Sequence, residues 1–291
     1  MVAGLIIAGV GRSGTSTAAA LAELAGLRPP HGADMMSGNE WNPDGHWEST
    51  SLVGFNDRLL AAAGQNWWTP CPVQHNTSEN LASISSCTKR AGQIFRHAFG
   101  EGGGWLWKDP RLTVLLPFWD RVLGIQPLLI PYRDPLEVAA SIARRDRLSI
   151  DVCLAIWERH SRHMLTTATG HPVLFADYAL LTEQSNIWFG KLVDFCARSG
   201  LDVAEPESGA TTTRVHRIAR PSVDAALTRN QSELAEMIAG LDGVHSNFQT
   251  PPLPEETPGT QRLINTLPKP KSIARFRSQV YVRSHSRDLA Q

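Results

Sequence analysis

The chain has no excess of charge of either sign. Its 291 residues carry 28 Lys+Arg against 28 Asp+Glu, a formal net charge of zero. Nucleic-acid binders usually show a strong basic excess, so no nucleic-acid partner is expected. Cysteine is scarce too. Cys71, Cys87, Cys153 and Cys196 stand apart without C-x-x-C spacing, which excludes a zinc knuckle and a disulfide framework and leaves no metal site to expect. No apolar run approaches the roughly 20 residues of a membrane span. Met1 to Gly9 has no basic flank and is too short for a secretory signal. A soluble, cytoplasmic protein is the expectation. There is no internal repeat and no Gly-Lys-Ser/Thr, so the ATP/GTP loop G-x-x-x-x-G-K-[ST] is absent. What remains is 42% hydrophobic and only 19% charged, enough for a true core and incompatible with global disorder.

The most informative stretch that is present lies at the front. Leu5-Ile6-Ile7-Ala8 runs into Gly9-Val10-Gly11-Arg12-Ser13-Gly14-Thr15-Ser16 and then into an Ala/Leu-rich segment. That order reads as a buried strand, a tight turn and a helix. The glycines let the backbone curl with its N–H groups inward, and the helix N-terminus adds its dipole and spare donors. Arg12 contributes a permanent charge; Ser13, Thr15 and Ser16 contribute hydroxyls. Gly9 to Gly14 also fits G-x-G-x-x-G, but that fingerprint needs a second strand ending in an acid about 20 residues on. Here that place is Arg28-Pro29-Pro30-His31-Gly32, which cannot be one. The loop suits a bound phosphate or sulfate.

Further along, strand-like and helix-like segments alternate. The first helix ends at Gly26 before Pro29-Pro30. Residues 31–47 are polar and Trp-bearing and read as an ordered loop over a pocket. Helical spacing is expected over Ser49–Ala63, Ser78–Phe99, Leu112–Leu123, Ile150–Ala168, Asn186–Ser199 and Ser222–Leu241. Strands are expected at Trp105–Trp107, Gln126–Tyr132 and Pro172–Ala176. Asp134 and Pro135 form an N-cap and first-turn pair that starts another helix. The fold expected is α/β, a P-loop-like parallel sheet flanked by helices on both faces. Residues 251–270 hold six prolines and read as an extended linker or wrapping segment. A basic stretch follows from Lys271. The domain expectation is therefore 1–250, then a C-terminal segment over 251–291.

The run Gly11-Arg12-Ser13-Gly14-Thr15-Ser16 resembles the 5′-phosphosulfate loop of sulfotransferases, enzymes that use 3′-phosphoadenosine-5′-phosphosulfate (PAPS). Arg133, at a strand end, with Ser141 eight residues on in the next helix, resembles that family's 3′-phosphate motif. Trp107-Lys108-Asp109-Pro110-Arg111 is similar to the Lys-Asp-Pro motif of tyrosylprotein sulfotransferases and to Lys-x-Pro-Arg in bacterial relatives. Asn42-Pro43-Asp44-Gly45-His46-Trp47-Glu48 resembles the bacterial Asn-Pro-x-Gly-x-x-Glu stretch. The resemblance covers roughly residues 3–200 and implies a sulfotransferase fold. It implies an O-sulfotransferase that moves a sulfuryl group from PAPS to a hydroxylated small molecule, sugar or glycolipid and leaves 3′,5′-adenosine bisphosphate (PAP). Gly11 to Ser16, Arg133, Ser141 and Tyr178 would bind the nucleotide. Glu48 would be the base, with His46 as its competitor, and Lys108 and Arg12 would stabilise developing charge. The cytosolic branch's C-terminal Arg-Lys-Gly is missing, which leaves Arg214, Arg217 or Lys271 to complete the 3′-phosphate site. A P-loop kinase-like phosphotransferase and a non-catalytic nucleotide-binding module are the alternatives.

Overall fold

The computed structural model describes residues 3–71, 87–204 and 225–268. In chain order its elements are β1 (Gly4–Ile7), α1 (Thr15–Leu24), α2 (Thr50–Ala62), α3 (Thr88–Phe99), β2 (Trp105–Lys108), α4 (Leu112–Leu123), β3 (Leu128–Tyr132) and α5 (Pro135–Asp146). They continue as α6 (Ile150–Thr167), β4 (Val173–Asp177), α7 (Tyr178–Glu183), α8 (Ser185–Arg198), α9 (Arg229–Gly240), β5 (Gly243–His245) and α10 (Thr260–Ile264). The sheet order is β2-β1-β3-β4-β5. The first four strands are parallel, and β5 alone is antiparallel, on the β4 edge.

Side-chain alternation explains why both faces of the sheet are covered. Ile6, Trp107, Ile130 and Phe175 point into one core, shared with residues of α2, α3, α4, α5 and α6. Leu5, Ile7, Leu106, Leu129 and Leu174 point into the other, under α1 and α8. The expected α/β architecture with helices on both faces is what the chain adopts. Asp134 caps α5 by accepting from the Glu137 N–H, with Pro135 in the first turn. The loop at 31–47 is ordered by Asp34, which accepts from the Ser49 hydroxyl and from both the N–H (2.9 Å) and the hydroxyl (2.6 Å) of Ser51.

Some boundaries differ from the sequence-based expectation. The helix expected from Ser222 begins at Arg229, where Thr228 and Gln231 form a reciprocal capping box; residues 222–224 lie outside the described part. So do 78–86 of the helix expected from Ser78, whose described portion is Thr88–Phe99. β5, α7 and α10 were not expected. Residues 251–268 lie against α6. Arg159 holds Glu256 through two hydrogen bonds of 2.6 and 2.9 Å, and Glu158 accepts from the Thr257 N–H at 2.7 Å and the Thr260 hydroxyl at 3.2 Å. Among the described residues no helix is long and apolar enough to cross a membrane.

Candidate active site

The loop after β1 turns through two left-handed residues, Arg12 (φ 75°) and Gly14 (φ 95°). A non-glycine residue in that region is held there by its surroundings. Arg12 is held at both ends of its guanidinium: Nε donates to the Ser141 hydroxyl at 2.9 Å, and Nη1 donates to the Trp41 carbonyl at 3.2 Å. Asn42 Nδ2 donates to the Ser16 hydroxyl at 3.0 Å. The 31–47 loop is thus tied onto the turn at two points. The Ser13 N–H is engaged by the Val10 carbonyl at 3.2 Å. The Ser13 hydroxyl is 3% exposed and has no partner among the described residues. An orphaned buried hydroxyl is costly unless a ligand satisfies it. The first N–H groups of α1 have no partner within the helix, because a helix cannot satisfy its own first donors.

Three guanidiniums converge here. Burial, then repulsion from Arg145 and Arg133, lowers the pKa of Arg12 to about 10; the group still carries its charge at neutral pH. Packing like charges into a half-buried site is unfavourable by itself and favourable around an anion. Arg133 extends from the end of β3, donates to Glu137 Oε2 at 2.7 Å and lies 4.5 Å over the Tyr178 ring. Arg145 donates to both carboxylate oxygens of Asp146 through Nε and to Oδ2 through Nη2, and lies 5.4 Å from each of the Trp67 and Trp68 rings. Trp67 borders the loop: a Cβ on Gly11 would meet its ring at 3.4 Å.

A cavity of about 400 Å³ opens at the carboxyl ends of β3 and β4, lined by Ser13, Arg133, Tyr178, Trp157 and Met164 among others. Its rim is acidic, with Glu137, Asp177, Glu183 and Glu236. Burial, reinforced by Asp242 and Glu183, raises the Asp177 carboxyl. This end favours hydrogen-bond donors of a ligand. The anion-favouring end is the loop with its arginines.

The other end of the site sits where β2 delivers Lys108. Lys108 Nζ donates to Glu48 Oε1 at 2.6 Å, and both are buried. Arg111 Nη1 is 3.5 Å from Glu48 Oε2. Burial pushes the Glu48 carboxyl up; Lys108 and Arg111 pull it down further, and the net falls below the usual carboxylate range. Burial lowers the pKa of His46; Glu48 opposes this, and Lys108, Arg145 and Arg12 lower it further. Neutral imidazole and ionised carboxylate therefore stand together, each able to accept a proton. Trp47, between them, is left-handed (φ 52°) and buried, its indole N–H on Glu23 Oε2 at 2.9 Å.

The structure thus brings Arg12 together with Ser141, Arg133 with Tyr178 and Glu137, and Glu48 with Lys108. It does not place a direct hydrogen bond between Arg133 and Ser141. Arg145 lies beside the Trp67 and Trp68 rings, and Arg144 next to it is exposed. Arg214, Arg217 and Lys271 lie outside the described residues. Among the described residues no group of three His, Cys, Asp or Glu is placed to hold a metal ion.

No family model and no curated protein matches the sequence. Among solved structures, the chain is similar to the sulfotransferase domain of the Synechococcus PCC 7002 olefin synthase, with a TM-score of 0.48 and 19% identity over 82% of this chain and 94% of that one. It is also similar to the sulfotransferase domain from the curacin biosynthetic pathway, with a TM-score of 0.44 and 12% identity over 91% of this chain and 97% of that one.

Proposed function

We propose that the chain is a PAPS-dependent sulfotransferase acting on a hydroxyl. The donor supplies a sulfuryl group on a phosphate leaving group, suited to in-line displacement. The observation that carries the reading is one juxtaposition: a phosphate-type loop with an orphaned buried Ser13 hydroxyl and three guanidiniums, next to a buried Glu48–Lys108 pair. The residues fit the donor's two chemistries. Arg12, Ser13, Ser16 and the first turn of α1 match its 5′-phosphosulfate, while Tyr178 and the acidic rim match a base and ribose hydroxyls that donate. Arg133 faces the 3′-phosphate with its two Nη groups, because Nε is engaged by Glu137.

In this reading Glu48 takes the acceptor's proton as its oxygen attacks, a role worth about 10²–10⁴-fold. Lys108 and Arg12 stabilise charge on the sulfuryl and bridging oxygens. Trp67, Trp68 and Arg145 border the side from which a flat or hydroxylated acceptor reaches Glu48.

Isothermal titration tests the donor: PAP should bind equally well with EDTA or Mg²⁺, and Mg-ATP should not compete. A requirement for Mg²⁺ would favour phosphoryl transfer and sink the reading. Glu48→Gln should keep PAP affinity and lose at least about a hundredfold in turnover of labelled PAPS over an acceptor panel. If His46→Gln is the dead variant instead, the histidine is the base.

A further inference from the structure

Glu48 is held by two cations of different kinds. Lys108 ends a flexible stem and reaches Oε1. Arg111 is locked: Nε donates to Asp57 Oδ1 at 2.6 Å, Nη2 to Asp57 Oδ2 at 3.5 Å, and Nη1 to Asp109 Oδ1 at 2.9 Å. Asp109 is itself fixed by the Arg111 N–H at 2.9 Å and by Asn56 Nδ2 at 2.9 Å, and Asn56 Oδ1 accepts from the Trp119 indole at 2.9 Å. Asn56, Asp109 and Trp119 are all fully buried. This chain of bonds runs from α4 through α2 and fixes the guanidinium with Nη1 3.5 Å from Glu48 Oε2.

We infer that Arg111 is a positioning residue: it keeps Glu48 ionised and aimed while Lys108 turns to the sulfuryl group. Lys108 cannot give its charge in full to Glu48 and to a developing sulfuryl anion together. A buried carboxylate left without a cation takes up a proton and ceases to be a base. The rigid fork stays in place through the transfer, because its other donors are anchored. The charged and titratable groups around Glu48 are Lys108 from β2, His46 from the 31–47 loop, and Arg111 with Asp109 ahead of α4. Asp57 of α2 faces the far edge of the fork.

The inference rests on Glu48 being the proton acceptor, and the test separates the two. The full chain, labelled with ¹³C-glutamate and saturated with PAP, is titrated by NMR, with Glu48→Gln assigning the resonance. Arg111→Met should raise the Glu48 midpoint by about one pH unit or more. Arg111→Lys, which keeps the charge but not the fork, should raise it less and partly rescue kcat, with KM for PAPS unchanged. Arg111→Met strands the buried Asp109 carboxylate and leaves Asp57 without its cation, so Asp57→Asn is the companion variant. Asp57 is about one-third exposed, and its loss leaves Arg111 less compensated, which should move the midpoint down. A midpoint unmoved in Arg111→Met, or raised in Asp57→Asn, overturns the role of Arg111. Midpoints that move as stated while Glu48→Gln keeps full turnover leave the coupling in place and remove the base assignment instead.

Discussion

Arg133 has its Nε on Glu137 and its guanidinium face over the Tyr178 ring. Its remaining donors are the two Nη groups, a forked pair suited to one phosphate. Arg133→Ala should therefore weaken PAP far more than adenosine 5′-phosphosulfate, which lacks the 3′-phosphate. A charged hydrogen bond contributes about 1.5–3 kcal/mol, so a loss of about tenfold to a hundredfold for PAP is expected by titration calorimetry. Equal weakening of both nucleotides would remove the 3′-phosphate from Arg133. At this scale the sequence was legible where the candidate site's residues sit in a contiguous run at a strand end: Arg12 and Ser13 after β1, Lys108 closing β2, Arg133 after β3. It was silent where a residue's partner is distant in the chain. Arg145 looks like any surface arginine until Trp67 and Trp68 are beside it, and the Arg111 fork acquires its direction only from Asp57, 54 positions earlier.

The strand–loop–helix unit is where backbone geometry and site chemistry are the same thing. Gly14 is left-handed (φ 95°), and a Cβ there would lie 2.2 Å from the Tyr178 ring. Gly14→Ala must therefore bear the left-handed penalty, about 1–2 kcal/mol, and also push Tyr178 out from under Arg133. A total loss of about 2–4 kcal/mol and a fall in PAP affinity are expected, read by urea unfolding and calorimetry. In a Tyr178→Ala background, Gly14→Ala should cost only the backbone part, about 1–2 kcal/mol. An equal cost of Gly14→Ala with and without the ring would mean that the ring was never in the way. Element types were largely legible because β1 to β4 are short, near-continuous apolar runs, the pattern of strands buried on both faces, with Ile6 in one core and Leu5 and Ile7 in the other. β5 was not. Gly243-Val244-His245 has no apolar alternation, its Val244 faces solvent, and it is a strand only because β4 offers an edge.

Over the whole molecule, α6 is the post to which distant segments are tied, and its ties are polar and buried. Composition alone left open whether the Pro-rich stretch hangs free or wraps; Arg159 and Glu256, 97 positions apart, hold its described part to α6. On the same helix His160 and His163 reach the carbonyls of Trp67 and Cys71 through Nε2, so Nε2 carries the proton in each. The Thr113 hydroxyl meets Nδ1 of His160 at 2.8 Å, and Nδ1 of His163 is buried with no partner among the described residues. Burial, set against those carbonyl bonds and aided by Arg159, lowers both imidazoles from 6.5 to about 4. The sign follows. The unfolded chain binds these protons from about pH 6.5 downward and the folded chain does not until about pH 4, so stability is full above pH 6.5 and falls as the pH drops toward 4. At about 1.4 kcal/mol per unit, each histidine should cost about 2 kcal/mol between pH 6.5 and pH 5. Urea unfolding of the full chain at those two pH values should show that loss. His163→Gln, whose amide can still donate to the Cys71 carbonyl but does not titrate, should lose about 2 kcal/mol less over the same interval than the native chain. An identical pH dependence in the variant would mean that His163 takes up its proton in the folded protein as it does in the unfolded chain.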